Sequence, residues 1–323
     1  MINCGRHQSC ESLFVSTILV LTELVSKFTG ADDIYSSIGS PVIFETTSRD
    51  KSPELKVAGM QRPAAVAGTF YPRSAVALRT SVSALLSEYH PPVLQPPRAL
   101  IVPHAGLVYS GKAAAAAYAH LNAWRSHYKL VIVIAPPHRK PVRGLAMSSA
   151  TSFQTPLGLI NQRASDLPAP WQALPHKFDD QAHADEHAIE VQLPFLHLVL
   201  DDFEFVPMLA AGIKPELLAD MLEQYWERED ALIVISTDLS HFHNYRDAQT
   251  IDGESDAAII AADPAVIDSN HACGATGLNG LLELARRKSA SISRLAQYNS
   301  GDTGFGDRDR VVGYASYRVD ETS

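Results

Sequence analysis

The chain has 323 residues, 46% hydrophobic and 20% charged, a globular composition that argues against a fibrous or disordered protein. With 27 basic against 36 acidic residues the formal charge is −9, and no Lys/Arg cluster stands out, so a sequence-independent grip on nucleic-acid phosphates is not expected. Three cysteines (Cys4, Cys10 and Cys273) cannot form a disulfide framework, and a reducing, cytoplasmic setting is the expectation.

Residues 1–60 stand apart from the rest of the chain. The apolar patch at 13–24 (LFVSTILVLTEL) falls short of the roughly 20 apolar residues that a membrane span needs. Glu23 and Lys27 sit where a signal-peptide cleavage site would be, so neither a membrane partner nor secretion is expected. The stretch after it (ADDIYSSIGSPVIFETTSRDKSPELK) holds no sustained period. Residues 1–60 therefore read as a poorly ordered extension before a single α/β domain over 61–323, with Met60 a candidate native start.

From Arg62 the pattern alternates in a βα manner. Residues 63–72 read as an extended lead-in, 75–89 as an amphipathic helix and 90–98 (HPPVLQPPR) as a proline linker. Residues 99–102 (ALIV) make a short buried strand, broken by Pro103, His104, Ala105 and Gly106 before an alanine-rich helix at 111–118. A second strand, 129–135 (KLVIVIA), runs into Pro136, Pro137 and His138. A short strand at 144–148 leads to a turn-rich loop at 153–158. Residues 184–200 are helical in period, with Pro194 as a break or kink. A strand at 203–209, a helix at 215–226 and a third buried strand, 231–236 (ALIVIS), come next, the last running into Thr237, Asp238, Leu239, Ser240 and His241. Helices at 247–262 and 274–287 precede residues 310–319, which alternate like a closing or edge strand.

In a parallel sheet the carboxyl ends of the strands form the ligand-binding crevice, so His104, His138 and His241 are expected to converge there. Neutral imidazole suits Fe, Cu, Zn or Ni, and also serves as a general acid/base. Asp238, three residues before His241, is a candidate to orient an imidazole or take a proton; the alternative is a turn or N-cap role. Cys273 lies just before a predicted helix, where the dipole favours a thiolate nucleophile or metal ligand; an inert buried cysteine is the alternative. His183, Glu186, His187 and Glu190 have spacings that share a helical face, which suggests a pocket wall or a layer of partners behind the ligands, although Ala184 stands where a zinc protease would carry its glutamate. The glycine-rich loop at 299–307 lacks the lysine of a phosphate-binding loop and reads as a connection.

With RPAAVAGTFYP, VPHAGLVYSGKAAAAAY, APPHR, FQTPLG, DEHAIEVQLPFL, STDLSHF, ACGATG, YNSGDT and RVVGYASY in view, the chain resembles the Memo family (AmmeMemoRadiSam system protein B) from about residue 62 to 319. The resemblance implies a three-layer α/β fold, a mostly parallel central sheet flanked by helices, like that of the class III extradiol dioxygenases. It implies that His104, His138 and Cys273 hold iron or copper, with Asp238 and His241 as further pocket residues; His241 paired with Asp238 is the expected acid/base. In this family Cys273 stands where the dioxygenases carry a glutamate, and a thiolate favours Cu(I) or a redox role over ring cleavage. The expected function is a metal-dependent redox protein of unknown substrate, a small molecule or peptide. The other reading is a non-catalytic module that keeps the pocket for peptide or protein partners, as animal members are described to do.

Overall fold

Aliphatic, β-branched runs bounded by proline become the inner strands, because only a strand buried on both faces can use side chains that are apolar on both. The computed structural model describes residues 60–163 and 176–322. The expected N-terminal extension, with Cys4 and Cys10, lies outside the described residues.

The elements in chain order are β1 (Gln61–Arg62), α1 (Ala75–Leu86), β2 (Ala99–Val102), α2 (Leu107–Tyr118), β3 (Leu130–Ala135), β4 (Gly144–Met147), β5 (Ser152–Thr155), β6 (Gly158–Asn161) and β7 (His176–Phe178). They continue as α3 (Asp180–Ala184), α4 (Leu193–Val199), β8 (Glu204–Ala211), α5 (Pro215–Trp226), β9 (Ala231–Ser236), β10 (His241–His243), α6 (Tyr245–Ile260), α7 (Ala275–Arg287), β11 (Ser291–Asn299) and β12 (Val311–Asp320).

Among the described residues the main sheet has nine strands in the order β10-β12-β2-β9-β3-β8-β4-β7, with β11 paired to β12. Its centre, β2-β9-β3-β8, is parallel. The flanking pairs β2–β12 and β8–β4 are antiparallel. A small second sheet is ordered β1-β5-β6. On β3, Leu130, Ile132 and Ile134 face a core shared with Leu218 and Leu222 of α5 and Leu278 and Leu281 of α7. Val131, Val133 and Ala135 face the opposite core, with Leu78 of α1, Tyr118 of α2 and Phe195 of α4. This is the expected three-layer arrangement, a mostly parallel sheet between two helical layers. No helix among the described residues is long and apolar enough to cross a membrane.

Several elements differ from the sequence pattern. Helix α2 begins at Leu107, immediately after its cap Gly106, rather than at residue 111. Residues 153–158 are not a loop: β5 and β6 form an antiparallel hairpin that pairs Phe153 with Ile160. The lead-in at 63–72 is turns closed by an isolated Ala67–Tyr71 bridge rather than extended chain. The continuous helix at 184–200 is replaced by α3, an irregular turn, a 3-10 turn at Glu190–Gln192 and α4. Pro194 lies in the first turn of α4, where its missing N–H costs nothing, so it starts a helix instead of kinking one. Strand β12 is interior to the sheet, because β11, which the pattern did not reveal, and β10 both pair with it.

His183, at the end of α3, is buried at 1% exposure and its Nε2–H donates to the carbonyl of Ala146 at 3.0 Å. Burial lowers its pKa from 6.5 to about 4. Between those values the unfolded chain binds a proton that the folded chain refuses, so stability falls as pH drops through that window, by up to about 3 kcal/mol. Urea unfolding at pH 7 and pH 4.5 is expected to show this loss, and His183→Gln should flatten the slope. Equal slopes in the two proteins would mean that His183 titrates normally.

Candidate metal centre

Because β2, β9 and β3 are adjacent and parallel, the residues that follow them emerge on one edge of the sheet. His104 follows β2 by way of Pro103, His138 follows β3 after two prolines, and Asp238 follows β9 after Thr237. Cys273 comes from the other side, one residue before Gly274, the cap of α7. Ligand atoms of His104, His138 and Cys273 all lie within 4.8 Å of one another, and Cys273 Sγ is 3.4 Å from His104 Nε2. The His104 and His138 rings meet edge to face at 5.1 Å. Metal–sulfur and metal–nitrogen bonds of about 2.3 and 2.0 Å at a tetrahedral angle place S and N about 3.5 Å apart, so this donor set fits one ion.

Two buried carboxylates hold the loops. Asp238 Oδ1 accepts the backbone N–H of His104 at 2.7 Å, while its carbonyl accepts the N–H of Cys273 at 3.3 Å. Burial raises the pKa of Asp238, and its backbone bond to His104 works the other way. Glu186, 2% exposed, accepts the N–H groups of His187 and Ala188 on Oε1 at 2.9 and 3.0 Å, and that of His138 on Oε2. Burial opposes its ionisation, but the hydrogen bonds from His138 and from these N–H groups prevail and hold it well below the usual carboxylate range. An ionised carboxylate only accepts, so His138 donates Nδ1–H to Oε1 at 3.0 Å and keeps a lone pair on Nε2.

Burial, then the neighbouring His138 and His187, push the pKa of His104 well below its ordinary value, which keeps it a neutral donor. Burial pushes the Cys273 thiol up to about 12, with Asp238 adding to the rise. A thiol so placed ionises when a cation joins the group.

The other sequence candidates divide. His187 faces the centre, its ring 4.6 Å from His138 and 5.4 Å from His104, and packs at a tilt of 44° against Phe70 at 4.6 Å. Its Nδ1 lies 3.1 Å from Glu186 Oε1 without the alignment of a hydrogen bond. His241 opens β10, close enough to act on the charges of His104 and Asp238, though no hydrogen bond joins it to Asp238. His183 and Glu190 do not share a face with His187, because α3 ends at Ala184. His183 packs beneath β4, and Glu190 binds Arg62, Tyr71 and the N–H groups of Ala65 and Val66. The loop at 299–307 begins with a 3-10 turn capped by Asn299 and carries no ligand of the centre. Ser236 and Gln192, both fully buried, were missed: Ser236 Oγ lies 2.9 Å from His104 Nδ1. For Ser236 the available signal was a polar residue closing the apolar run ALIVI.

A family model described as Memo-like protein matches residues 62–318. A MEMO1 family protein of Thermoplasma acidophilum is 32% identical over 270 residues, which cover 80% of this chain and 98% of that protein. One from Thermoplasma volcanium is 34% identical over 275 residues, 80% of this chain and 97% of that protein. The solved structure of an uncharacterized protein from Escherichia coli K12 matches with a TM-score of 0.43 at 11% identity, covering 69% of this chain and 99% of that one.

The helix start beside Cys273 has no room for a side chain. A Cβ on Gly274 would lie 2.6 Å from Thr237 Cβ and 3.0 Å from the Ser236 carbonyl. Gly274→Ala is expected to cost about 1–3 kcal/mol and to move the thiol away from His104. Gly253→Ala, in the exposed middle of α6 with nothing within 4 Å, should gain up to about 1 kcal/mol. Thermal unfolding of both variants checks the contrast; equal effects would contradict it.

Proposed function

We propose that this chain, which belongs to the Memo family, is a metal-dependent redox protein that holds iron or copper with His104, His138 and Cys273. What carries the reading is the meeting of two imidazoles and one thiol, from three distant stretches of the chain, within 4.8 Å. Such a soft, mixed N/S set suits a redox ion, and a bound iron or copper supplies electron transfer and sites open to a small oxidisable molecule.

The chain's own residues account for the rest. Burial keeps His104 deprotonated at neutral pH and available as a donor. Glu186 receives the Nδ1–H of His138, which fixes the direction of the opposite nitrogen. Asp238 bonds the backbones of His104 and Cys273 together, so the two donors keep their spacing. His138 and Cys273 retain surface exposure, and a substrate approaches from their side. His241, part-exposed beside them, holds or moves the proton of that substrate.

Anaerobic purification followed by metal analysis and spectroscopy is expected to find about one Fe or Cu per chain, with a cysteine-to-metal charge-transfer band. Cys273→Ser and His104→Ala should each fall below about a tenth of that content, a loss at least as large as the 10–100-fold typical of changes to the partners behind the ligands. Full metal content in both variants would remove the assignment.

A further inference from the structure

We infer that a buried hydrogen-bond chain, Tyr118–Gln192–Ser236, fixes His104 as the Nδ1–H tautomer and so determines that Nε2 faces Cys273. Ser236 and Gln192 are thereby positioning residues. The consequence for metal binding rests on the reading of His104 as a ligand, but the tautomer itself does not.

Counting protons along the chain assigns a donor to every bond. Tyr118 Oη–H donates to Gln192 Oε1 at 3.0 Å, and burial keeps that phenol protonated. The Gln192 amide nitrogen donates to the carbonyl of Pro103 at 2.9 Å, which fixes which end of the amide is nitrogen, and its second hydrogen goes to Ser236 Oγ at 2.8 Å. Ser236 has a single hydroxyl hydrogen, and it is committed to the carbonyl of Ala188 at 2.7 Å. Ser236 Oγ can then only accept from its remaining neighbour, His104 Nδ1 at 2.9 Å, so that nitrogen carries the proton. Tyr118, Gln192 and Ser236 are fully buried and His104 is 1% exposed, so bulk water does not reach the chain to swap donor for acceptor. With Nδ1 protonated in a neutral ring, the Nε2 lone pair points at Cys273 Sγ, 3.4 Å away.

One turn serves both imidazoles. The Ala188 carbonyl ends the chain from His104, and two residues earlier Glu186 receives the Nδ1–H of His138. Residues 186–188 therefore pin both rings by Nδ1 and offer both Nε2 atoms to the same space.

Long-range 1H–15N correlation of histidine-labelled, metal-free protein at neutral pH tests this directly. The His104 signal, identified by its loss in His104→Ala, is expected to show protonated Nδ1 and bare Nε2. Nε2–H in the unaltered protein overturns the inference. Ser236→Ala is expected to give mixed tautomers and to weaken Fe(II) and Cu(I) binding about 10–100-fold, with recovery in Ser236→Thr. An unchanged tautomer in Ser236→Ala also overturns it. The measurement on unaltered protein stands even where a variant fails to fold. The inferred tautomer in a protein that binds neither ion supports the inference while removing the metal reading.

Discussion

Two buried carboxylates, bonded to backbone N–H groups from remote loops, are what the rest of the site depends on. Asp238 reaches the loop after β2, and Glu186 the loop after β3. A carboxylate taken out of water is costly unless hydrogen bonds satisfy it, and here backbone N–H groups supply them, so the loops cannot wander without exposing a buried charge. The imidazoles inherit their positions from that requirement. Prolines before each histidine reduce the conformations to be lost, since Pro103, Pro136 and Pro137 restrict the chain just where it leaves the sheet.

The same burial sets the electrostatic character of the centre. It drives His104 toward the neutral form and Cys273 toward the protonated thiol. Meanwhile Glu186 stays ionised behind His138. The result is neutral donors in front with negative charge close behind, an arrangement that favours a cation over an anion at the meeting point. Deprotonation of Cys273 and arrival of a cation are then linked, each favouring the other.

Much of this was legible in the sequence because the strands announce themselves. ALIV, LVIVIA and ALIVIS are apolar at nearly every position, as strands covered on both faces must be, and each is followed by a polar residue at the expected edge. Cys273 was legible from its place before a helix. The stretch at 184–200 misled because its apolar spacing is helical while its hydrogen bonding is not. Glu186 turns its carboxylate onto the N–H groups of His187 and Ala188, and this local bond competes with a helical turn. Spacing alone therefore gave His183 and Glu190 a face they do not share with His187. Ser236 and Gln192 were hidden for a different reason: each sits against an apolar run, and only the packed fold shows what a lone polar atom there must bond to.

The segment before α1 completes the logic. Arg62 lies 5% exposed against Glu190, and its remaining donors go to the carbonyls of His183 and Glu186. Tyr71 also binds Glu190, and Phe70 beside it packs its ring at a tilt against His187 while its carbonyl accepts the N–H of Leu107, the first residue of α2. A guanidinium and a carboxylate buried together gain little net stability over an apolar pair, but they are strict about geometry, because neither tolerates the loss of the other. Here that strictness is applied to the turn at 186–188, the one that fixes both imidazoles. The family match begins at residue 62, the first residue from which this constraint reaches the centre. The lead-in is therefore part of the site rather than a tether to it: its buried charges hold the turn, the turn holds the rings, and the sheet edge supplies the place where the rings meet the thiol.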